Sequence, residues 1–396
     1  MKKYLLLLFA LCGATFSAAA GEPAVQQPAN EPANEPADEL MDAPAERAAE
    51  SAAAERWTLL AGADFDVYFD NREYTPMQLG ESQTLFSARL SPFVGIGWGE
   101  QGRNRLMVKM DFRSDFGDDS KLFANIRPQL YYRFANRKVS AYAGIFSRDE
   151  MIGDYSELFI SDSMRFYDNR VQGFMGQYRG KRGYVELSVD WCGMYSKVSR
   201  EKFRVMSAGR YWFDSARRFY GGYAFSMLHF AGSEEIHNNV TDNLLLDPYV
   251  GARFRAWADF DVKLHYIVSF QHDRANESTF RRPMGGMFQL RMAKWGVFVD
   301  EQLYVGQNQQ PFYATYRNEQ FPNGYGAELY AGEPFFGTTE KIYNNLKIGY
   351  DRWFFRNTVG VKCFMSFRYD GTGWGNSQLV MLSLRLLKEI PLYRNR

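Results

Sequence analysis

The sequence predicts an all-β fold, a single transmembrane antiparallel up-and-down β-barrel of about 16 strands, within a range of about 14 to 18. Apolar side chains recur at every second position over runs of 10 to 14 residues, the period of half-buried strands. The connections between these runs alternate between short and long. After residue 20, no apolar run approaches the roughly 20 residues of a membrane helix, so any membrane crossing must use strands.

The composition of the 396 residues agrees with one large β architecture. Aromatic residues make up 17% and charged residues 23%, and the mean hydropathy is -0.41, which argues against both a helical membrane bundle and a disordered chain. The formal charge of +1 hides an asymmetry. Residues 21–55 carry nine acidic side chains and one arginine, whereas the chain from residue 56 onward has a basic excess of about +7.

The first 56 residues are predicted to lie outside the barrel. Residues 1–20 have a basic start, an apolar stretch and a small-residue finish, which predicts a signal peptide. Residues 21–56 repeat the motif EPAN and predict a disordered, acidic, Pro/Ala-rich periplasmic linker. The outer-membrane β-barrel is then predicted over residues 57–396. Its two cysteines, Cys192 and Cys363, are interpreted as small apolar side chains.

Sixteen strands are predicted from the alternating pattern. Their approximate ranges are 58–70, 83–98, 104–115, 123–135, 138–148, 170–179, 183–193, 203–213, 218–230, 247–257, 259–271, 283–293, 295–305, 342–354, 357–369 and 376–389. Runs of this length can cross a bilayer when tilted. One run breaks the alternation, because Glu301 falls in phase with Val297 and Val299, and a β-bulge near Asp300 and Glu301 is predicted there.

Short turns follow the even-numbered strands, and long loops follow the odd-numbered ones. Such a barrel keeps its short turns in the periplasm, where the chain enters. Aromatic residues beside the short turns are predicted to form an interfacial girdle. The girdle residues are Trp98, Phe134, Trp212, Trp257, Trp295 and Trp353.

The leader, the alternating strands, the turn-and-loop rhythm and the turn-side aromatics together resemble a porin-like outer-membrane β-barrel of Gram-negative bacteria. The resemblance covers residues 57 to about 389. It implies an outer-membrane location, with membrane lipid and lipopolysaccharide around the barrel and insertion by the barrel-assembly machinery. The chain departs from the usual pattern at its end, where residues 391–396 replace a terminal aromatic residue.

The polar phase of the strands is predicted to line a lumen. Its basic members are Arg89, Lys109, Arg113, Arg127, Arg133, Arg210, Arg253, Arg255, Arg291, Lys362 and Arg368. The loop over residues 149–169 resembles the inserted loop of general diffusion porins. Its acidic residues are Asp149, Glu150, Asp154, Glu157, Asp162 and Asp168. Facing a basic wall, they would set up a transverse field across a constriction, whereas the alternative is an ordinary exposed loop.

These features predict a channel for passive or weakly selective diffusion of small hydrophilic solutes, with a mild preference for anions. The alternative is a plugged or narrow barrel that serves as a structural protein or binds glycans or proteins through its long loops. Residues 306–341 combine aromatic and amide side chains, which can stack on sugars or pack against one another.

No catalytic residue is predicted. The stretch HxSNG, typical of barrel lipases of the outer membrane, is absent, and His265 and Ser269 fall on the lumen phase. The histidines at positions 229, 237, 265 and 272 lack metal-ligand spacing. An outer-membrane hydrolase is therefore only the third interpretation, and the sequence predicts a protein that is not an enzyme, with no metal, no cofactor and no nucleic-acid partner. The oligomeric state is left open.

Overall fold

A computed structural model describes residues 57–117, 125–234, 240–314 and 325–392. The predicted signal peptide at 1–20 and the predicted linker at 21–56 lie outside the described residues. Those two predictions, and the boundary between linker and barrel, therefore stay predictions.

Sixteen strands form the described body. They are β1 Trp57–Glu73, β2 Gln83–Trp98, β3 Asn104–Asp115, β4 Asn125–Ala135, β5 Val139–Ser147, β6 Arg170–Gly180, β7 Gly183–Gly193, β8 Lys202–Trp212, β9 Phe219–Phe230, β10 Thr241–Arg255, β11 Asp259–Asp273, β12 Met284–Lys294, β13 Val297–Gly306, β14 Ile342–Phe354, β15 Val359–Tyr369 and β16 Trp374–Leu392. One short α-helix, α1 Asp162–Tyr167, and four 3₁₀ turns, Glu100–Gly102, Arg148–Glu150, Gly326–Glu328 and Pro334–Gly337, complete the described elements. Within these ranges, no helix has the length and apolar character needed to span a membrane.

Every strand pairs antiparallel with its neighbours in sequence, and β1 pairs with β16 from Trp57 opposite Leu392 to Glu73 opposite Asn376. The sheet is therefore a closed barrel without a free edge, which satisfies the backbone hydrogen bonds that lipid cannot supply. The prediction of a porin-like up-and-down barrel of sixteen antiparallel strands is confirmed.

Side chains alternate between the lumen and the outer wall. In β7, Glu186 and Ser188 are buried on the inside, whereas Leu187 between them is 52% exposed on the outside. The same alternation exposes Val108, Leu130 and Leu264 on their strands. This apolar outer surface is the belt that faces lipid.

Short turns lie at one end of the barrel, here called the turn end, and long loops lie at the other, the loop end. One of the tightest turns joins β12 to β13 through Trp295 and Gly296 alone. Both residues have positive φ, 55° and 90°, as the two-residue hairpin turns that match strand twist require.

The bulge predicted near Asp300 and Glu301 is wrong. The register of β13 runs unbroken against both β12 and β14. Glu301 therefore faces lipid, between Leu290 and Leu346 on the adjacent strands. The Asn344 amide donates a hydrogen bond to the Glu301 carboxylate, which supplies one partner that lipid cannot.

The predicted girdle is only partly on the outer wall. Trp98 lies outside, stacked on Trp57 with 5.5 Å between ring centroids, and Phe134 shares the outward phase of β4. Trp257 and Trp295 are exposed in turns at the turn end.

Trp212 and Trp353 correct the prediction. Trp212 is 4% exposed and packs inside against Tyr220, and Trp353 lies beneath the lumenal Arg385. Both fall on the inward phase of their strands, and phase outweighs nearness to a turn in deciding which way a side chain points.

Replacing Glu301 with leucine is expected to stabilise the barrel by about 1 kcal/mol, because a carboxylate in the lipid belt is unfavourable and leucine is not. Urea unfolding in lipid vesicles measures the free energy of unfolding. The matched control is Gln302→Leu, which changes the neighbouring buried lumenal residue and should give no gain. A gain for Gln302→Leu together with a loss for Glu301→Leu would contradict the outward placement.

Candidate functional site

The loop after β5, residues 148–169, crosses the lumen. The Lys347 ammonium, on β14, lies 2.7 Å from the Asp162 carboxylate, and that of Lys362, on β15, lies 3.4 Å away. Asp154 is bound by Lys263 of β11 at 2.5 Å and also by Arg210 of β8. Since β11, β14 and β15 lie six or seven strands from β5 around the closed sheet, the loop must pass through the interior.

The remaining acidic residues of the loop have different partners. Glu157 pairs with Lys347, and Asp168 lies 3.3 Å from Arg127. Asp149 and Glu150 stay near the base of the loop, where Asn169 and Tyr142 donate hydrogen bonds to them. Four of the six predicted acids thus contact basic wall residues, and two do not.

The charge of Asp154 and Asp162 is set by these contacts. Burial alone would raise the pKa of Asp154, but Lys263 and Arg210 outweigh burial and hold the pKa below its usual value. Burial likewise opposes ionisation of Asp162, whereas Lys347 and Lys362 lower its pKa. Both carboxylates are therefore ionised at neutral pH, and the ion pairs hold the loop inside.

Arginines of the wall also hold the end of α1. Arg89 donates to the carbonyl of Phe166 at 3.0 Å, and Arg127 donates to the carbonyl of Tyr167 at 2.9 Å. Phe166 stacks on Tyr68 of β1 with 4.6 Å between ring centroids. Basic wall residues therefore bind carbonyl oxygens as well as carboxylates.

A second loop, residues 307–341, packs on the first. The Ser161 amide donates to the Ala331 carbonyl at 2.9 Å, and the Glu333 amide donates to the Glu157 carbonyl at 2.8 Å. Phe335 and Phe336 are fully buried beside Tyr343. The described aromatics of this loop are thus mostly packed inward, whereas residues 315–324 lie outside the described residues.

Between the first loop and the wall lies a cavity of about 320 Å³. Asp154, Glu157 and Asp162 line it from the loop, and Lys263 and Lys347 line it from the wall. Arg291 and Asp300, 2.6 Å apart, close its edge. The cavity is polar and of mixed charge, at the lower end of the volumes that hold small molecules.

All eleven predicted basic residues fall on the inward phase of their strands. Most are neutralised, as Arg89 is by Asp66 at 2.8 Å and Lys109 by Asp64 at 2.6 Å. Arg255 is also paired, 3.4 Å from Asp259, but its side chain is 65% exposed at the turn end. Their role in lining a conducting pore remains a prediction.

A second constellation lies on the outer wall. His229 of β9 and Asp242 of β10 are opposite each other in register, with 2.7 Å between His229 Nδ1 and Asp242 Oδ1. Both fall on the outward phase, since Leu228 and Thr241 beside them are buried inside. They lie one residue from the loop ends of their strands. We call them the outer-wall pair.

Three neighbours position the outer-wall pair. Arg274 donates two hydrogen bonds to the Asp242 carboxylate, one from Nε at 2.7 Å and one from a terminal nitrogen at 3.2 Å. Phe203 of β8 lies beside the His229 ring, with 5.2 Å between centroids. His272 of β11, the other register partner of Asp242, is engaged elsewhere, with Nε2 2.8 Å from the Glu277 carbonyl oxygen.

An imidazole whose Nδ1–H donates to a carboxylate keeps Nε2 as a base. The His229 side chain is 22% exposed and lies on the outward phase of β9, so part of the imidazole is open to the lipid side. The outer-wall pair can therefore remove a proton from water at the membrane surface. Among the described residues, no Ser or Thr hydroxyl is bonded to His229, and no group of three or more His, Cys, Asp and Glu side chains could hold a metal ion.

Sequence reasoning missed the outer-wall pair, although a signal was present. His229 is in phase with Phe225 and Met227, which face lipid, and an ionisable residue in that phase is unusual. His265, which the sequence did bring forward, is 8% exposed in the lumen and bound to Asp247 and Gln289.

Comparison with known proteins identifies the family of the chain. The model of the lipid A 3'-O-deacylase-type family matches residues 54–373, which is most of the chain. The prediction that the protein is not an enzyme is therefore wrong, since the family is named for an enzyme. No curated protein matches the sequence.

Solved structures share the barrel fold at low sequence identity. OccK11 (OpdR) of Pseudomonas aeruginosa is 9% identical, with a TM-score of 0.49, over 85% of this chain and 96% of that one. OpdK of the same organism is 10% identical, with a TM-score of 0.45, over 83% and 99%. A mutant of the Rhodopseudomonas blastica porin is 14% identical, with a TM-score of 0.41, over 83% and 99%.

The attachment of the first loop is expected to depend on pH. Because folding lowers the pKa values of Asp154 and Asp162, their ion pairs contribute fully above the unfolded-state pKa of about 3.9 and are lost as pH falls below it toward the lower folded-state values. Hydrogen exchange of amides 154–162, corrected for intrinsic rates, should be equal at pH 7 and pH 5 and faster below pH 4.

Asp162→Asn should speed this exchange at pH 7 by about tenfold, since a hydrogen bond to a charged group contributes about 1.5 kcal/mol. Asp149→Asn is the matched control, because Asp149 contacts only its own end of the loop. Unchanged exchange in Asp162→Asn would show that the ion pairs do not hold the loop.

Proposed function

The chain belongs to the lipid A 3'-O-deacylase-type family, and on that premise we propose that it hydrolyses the ester linking an acyl chain to the 3' position of lipid A in the outer leaflet. The outer-wall pair is the observation that carries this proposal. It supplies a base on the surface of the barrel that a lipid can reach without entering the lumen.

The height of the outer-wall pair fits the substrate. His229 and Asp242 lie one residue from the loop ends of β9 and β10, at the loop-end edge of the outer wall. The ester bonds of lipid A lie where the acyl chains meet the sugar, which is the boundary between apolar and polar layers. The aromatic rings of Phe203 and Trp191, stacked 5.3 Å apart on the same wall, suit that boundary.

The location on the outer wall also favours function over packing. Ionisable groups on a lipid-facing wall lower stability, by less near the interface than at the midplane. Arg274, Asp242 and His229 form a connected set here. Such sets at membrane surfaces are functional by default, because packing alone gives no reason to keep them.

The proposed reaction uses water as the nucleophile. His229 Nε2 takes a proton from water while the oxygen attacks the ester carbonyl, and Asp242 stabilises the imidazolium that forms. When the tetrahedral intermediate collapses, the bond between the acyl carbon and the sugar oxygen breaks. The imidazolium then returns the proton to the sugar oxygen. The products are a fatty acid and a lipid A with a free 3' hydroxyl.

His229→Gln is expected to lower kcat for fatty-acid release by at least about 100-fold, because it removes the base. Asp242→Asn should lower kcat as well, since the amide no longer favours the tautomer with Nε2 free. Mass spectrometry of lipid A in mixed micelles with purified protein measures both the rate and the acyl position released.

His272→Gln is the control, since His272 lies on the same wall but is turned to Glu277. It should keep close to full activity. Full activity in His229→Gln would rule out the assigned base, and release from a position other than 3' would rule out the assigned substrate bond.

A second function is favoured by the charged cavity in the lumen. The acidic loop facing Lys263 and Lys347 supports passage of small hydrophilic solutes, sorted by charge and dipole. The paired carboxylates reduce the anion preference that the basic excess alone suggests, and the two packed loops favour a narrow path.

Single-channel conductance in planar bilayers tests this second function. Wild-type protein is expected to give small steps with weak selectivity in a salt gradient, and Lys347→Gln should shift the reversal potential toward cations, because it removes a positive charge from the cavity wall. The absence of steps from protein that is folded by heat-modifiable migration would reject the channel and leave the proposed hydrolysis untouched.

A further inference from the structure

The segment that connects β11 to β12 carries two adjacent arginines with opposite orientations. Arg281 pairs in register with the buried Gln271 and turns inward, where it lies over Phe312 and binds Glu277. Arg282 turns outward, with its guanidinium 5.8 Å from the ring centre of Phe270. Phe270 belongs to the lipid-facing phase of β11, because Ser269 and Gln271 beside it are fully buried inside.

The charge of Arg282 has no counterpart in the protein. Among the residues that the structure describes, no carboxylate lies within ion-pair distance of Arg282, whereas Arg281 and Arg274 each bind one. The Arg282 side chain is exposed near the loop end. A guanidinium that lies over a lipid-facing aromatic ring near the loop end can bind an anion in the headgroup layer.

The position of Arg282 relates it to the outer-wall pair. Gln271 opposite Arg281 places Arg282 opposite Phe270, one strand beyond β11. His229 on β9 therefore lies three strand spacings, about 14 Å, across the wall from Arg282 and two residues, about 7 Å, along the strands. That span suits the two ends of one disaccharide headgroup, and lipid A carries phosphate groups on its disaccharide.

We propose that Arg282 binds a phosphate group of the lipid A molecule whose 3' ester lies against the outer-wall pair. This inference rests on the proposed function and adds a recognition site to it. Arginine suits phosphate because its planar fork donates two parallel hydrogen bonds. Arg274 is hydrogen-bonded to Asp242 and so positions the outer-wall pair, whereas Arg282 binds the phosphate and positions the substrate.

Native mass spectrometry of the detergent-solubilised protein tests this site without relying on turnover. Wild-type protein should retain bisphosphorylated lipid A, and Arg282→Gln should retain about fivefold less, as expected for one exposed charge pair. Arg282→Lys should be intermediate, because it keeps the charge but loses the fork. With a phosphate-free lipid A, wild type and Arg282→Gln should bind equally.

Arg352→Gln is the matched control. Arg352 also faces outward over an aromatic ring, 5.5 Å from the centre of Phe354, but at the turn end. It should retain lipid A as wild type does. Equal retention by Arg282→Gln and wild type would overturn the phosphate site, and so would an equal loss in Arg352→Gln.

Two further comparisons separate the sources of phosphate and the two proposals. If Arg282→Gln loses phosphatidylglycerol as strongly as lipid A, the site binds any phospholipid, and the assignment to lipid A fails. If Arg282→Gln loses lipid A but wild-type protein releases no fatty acid, the phosphate site stands and the proposed hydrolysis fails. If wild-type protein releases fatty acid and Arg282→Gln leaves KM unchanged, the hydrolysis stands and the phosphate site fails.

Discussion

Closure of the sheet between β1 and β16 is the constraint on which the rest of the structure depends. It pairs the first strand with the last, whose edges would otherwise be open. It also fixes which side of every strand faces lipid. Because side chains alternate along each strand, closure sorts the chain into a lumenal set and an outer set. Each functional group described here belongs to one of these sets, and the two sets offer two separate chemistries.

Charged side chains have different partners in the lumen and on the outer wall. A barrel of sixteen strands has an interior too wide for wall side chains alone to fill. Here two loops enter it, bound by ion pairs such as Asp162 with Lys347 and by their own backbone hydrogen bonds. On the outer wall near the loop end, His229, Asp242 and Arg274 are bonded to one another, whereas Arg282 has no carboxylate partner among the described residues. Lumenal charges thus hold the loops in place, whereas the outer charges lie on the wall that faces lipid.

Much of the fold could be predicted, because strand phase and turn length are local properties of the sequence. The same locality explains the errors. Glu301 interrupts the alternation of apolar side chains, and a bulge was predicted because it would restore the alternation locally. The continuous register instead places the Glu301 carboxylate in lipid beside Asn344. Trp212 was assigned by its nearness to a turn, but its phase takes it inside. The outer-wall pair was missed because it arises from register between β9 and β10, and a search for a contiguous motif cannot find it.

Hydrolysis at the outer-wall pair requires that the outer wall, and not the lumen, meets the substrate. A lipid A analogue with a photoreactive diazirine close to its 3' ester distinguishes these two surfaces. After irradiation with the purified barrel in bilayers, mass spectrometry of the digested protein identifies the labelled segments. Labels are expected on the outward residues near the loop ends of β8 to β10, around Phe203 and His229. Labels on the lumenal loop at residues 148–169 would contradict the outer-wall site.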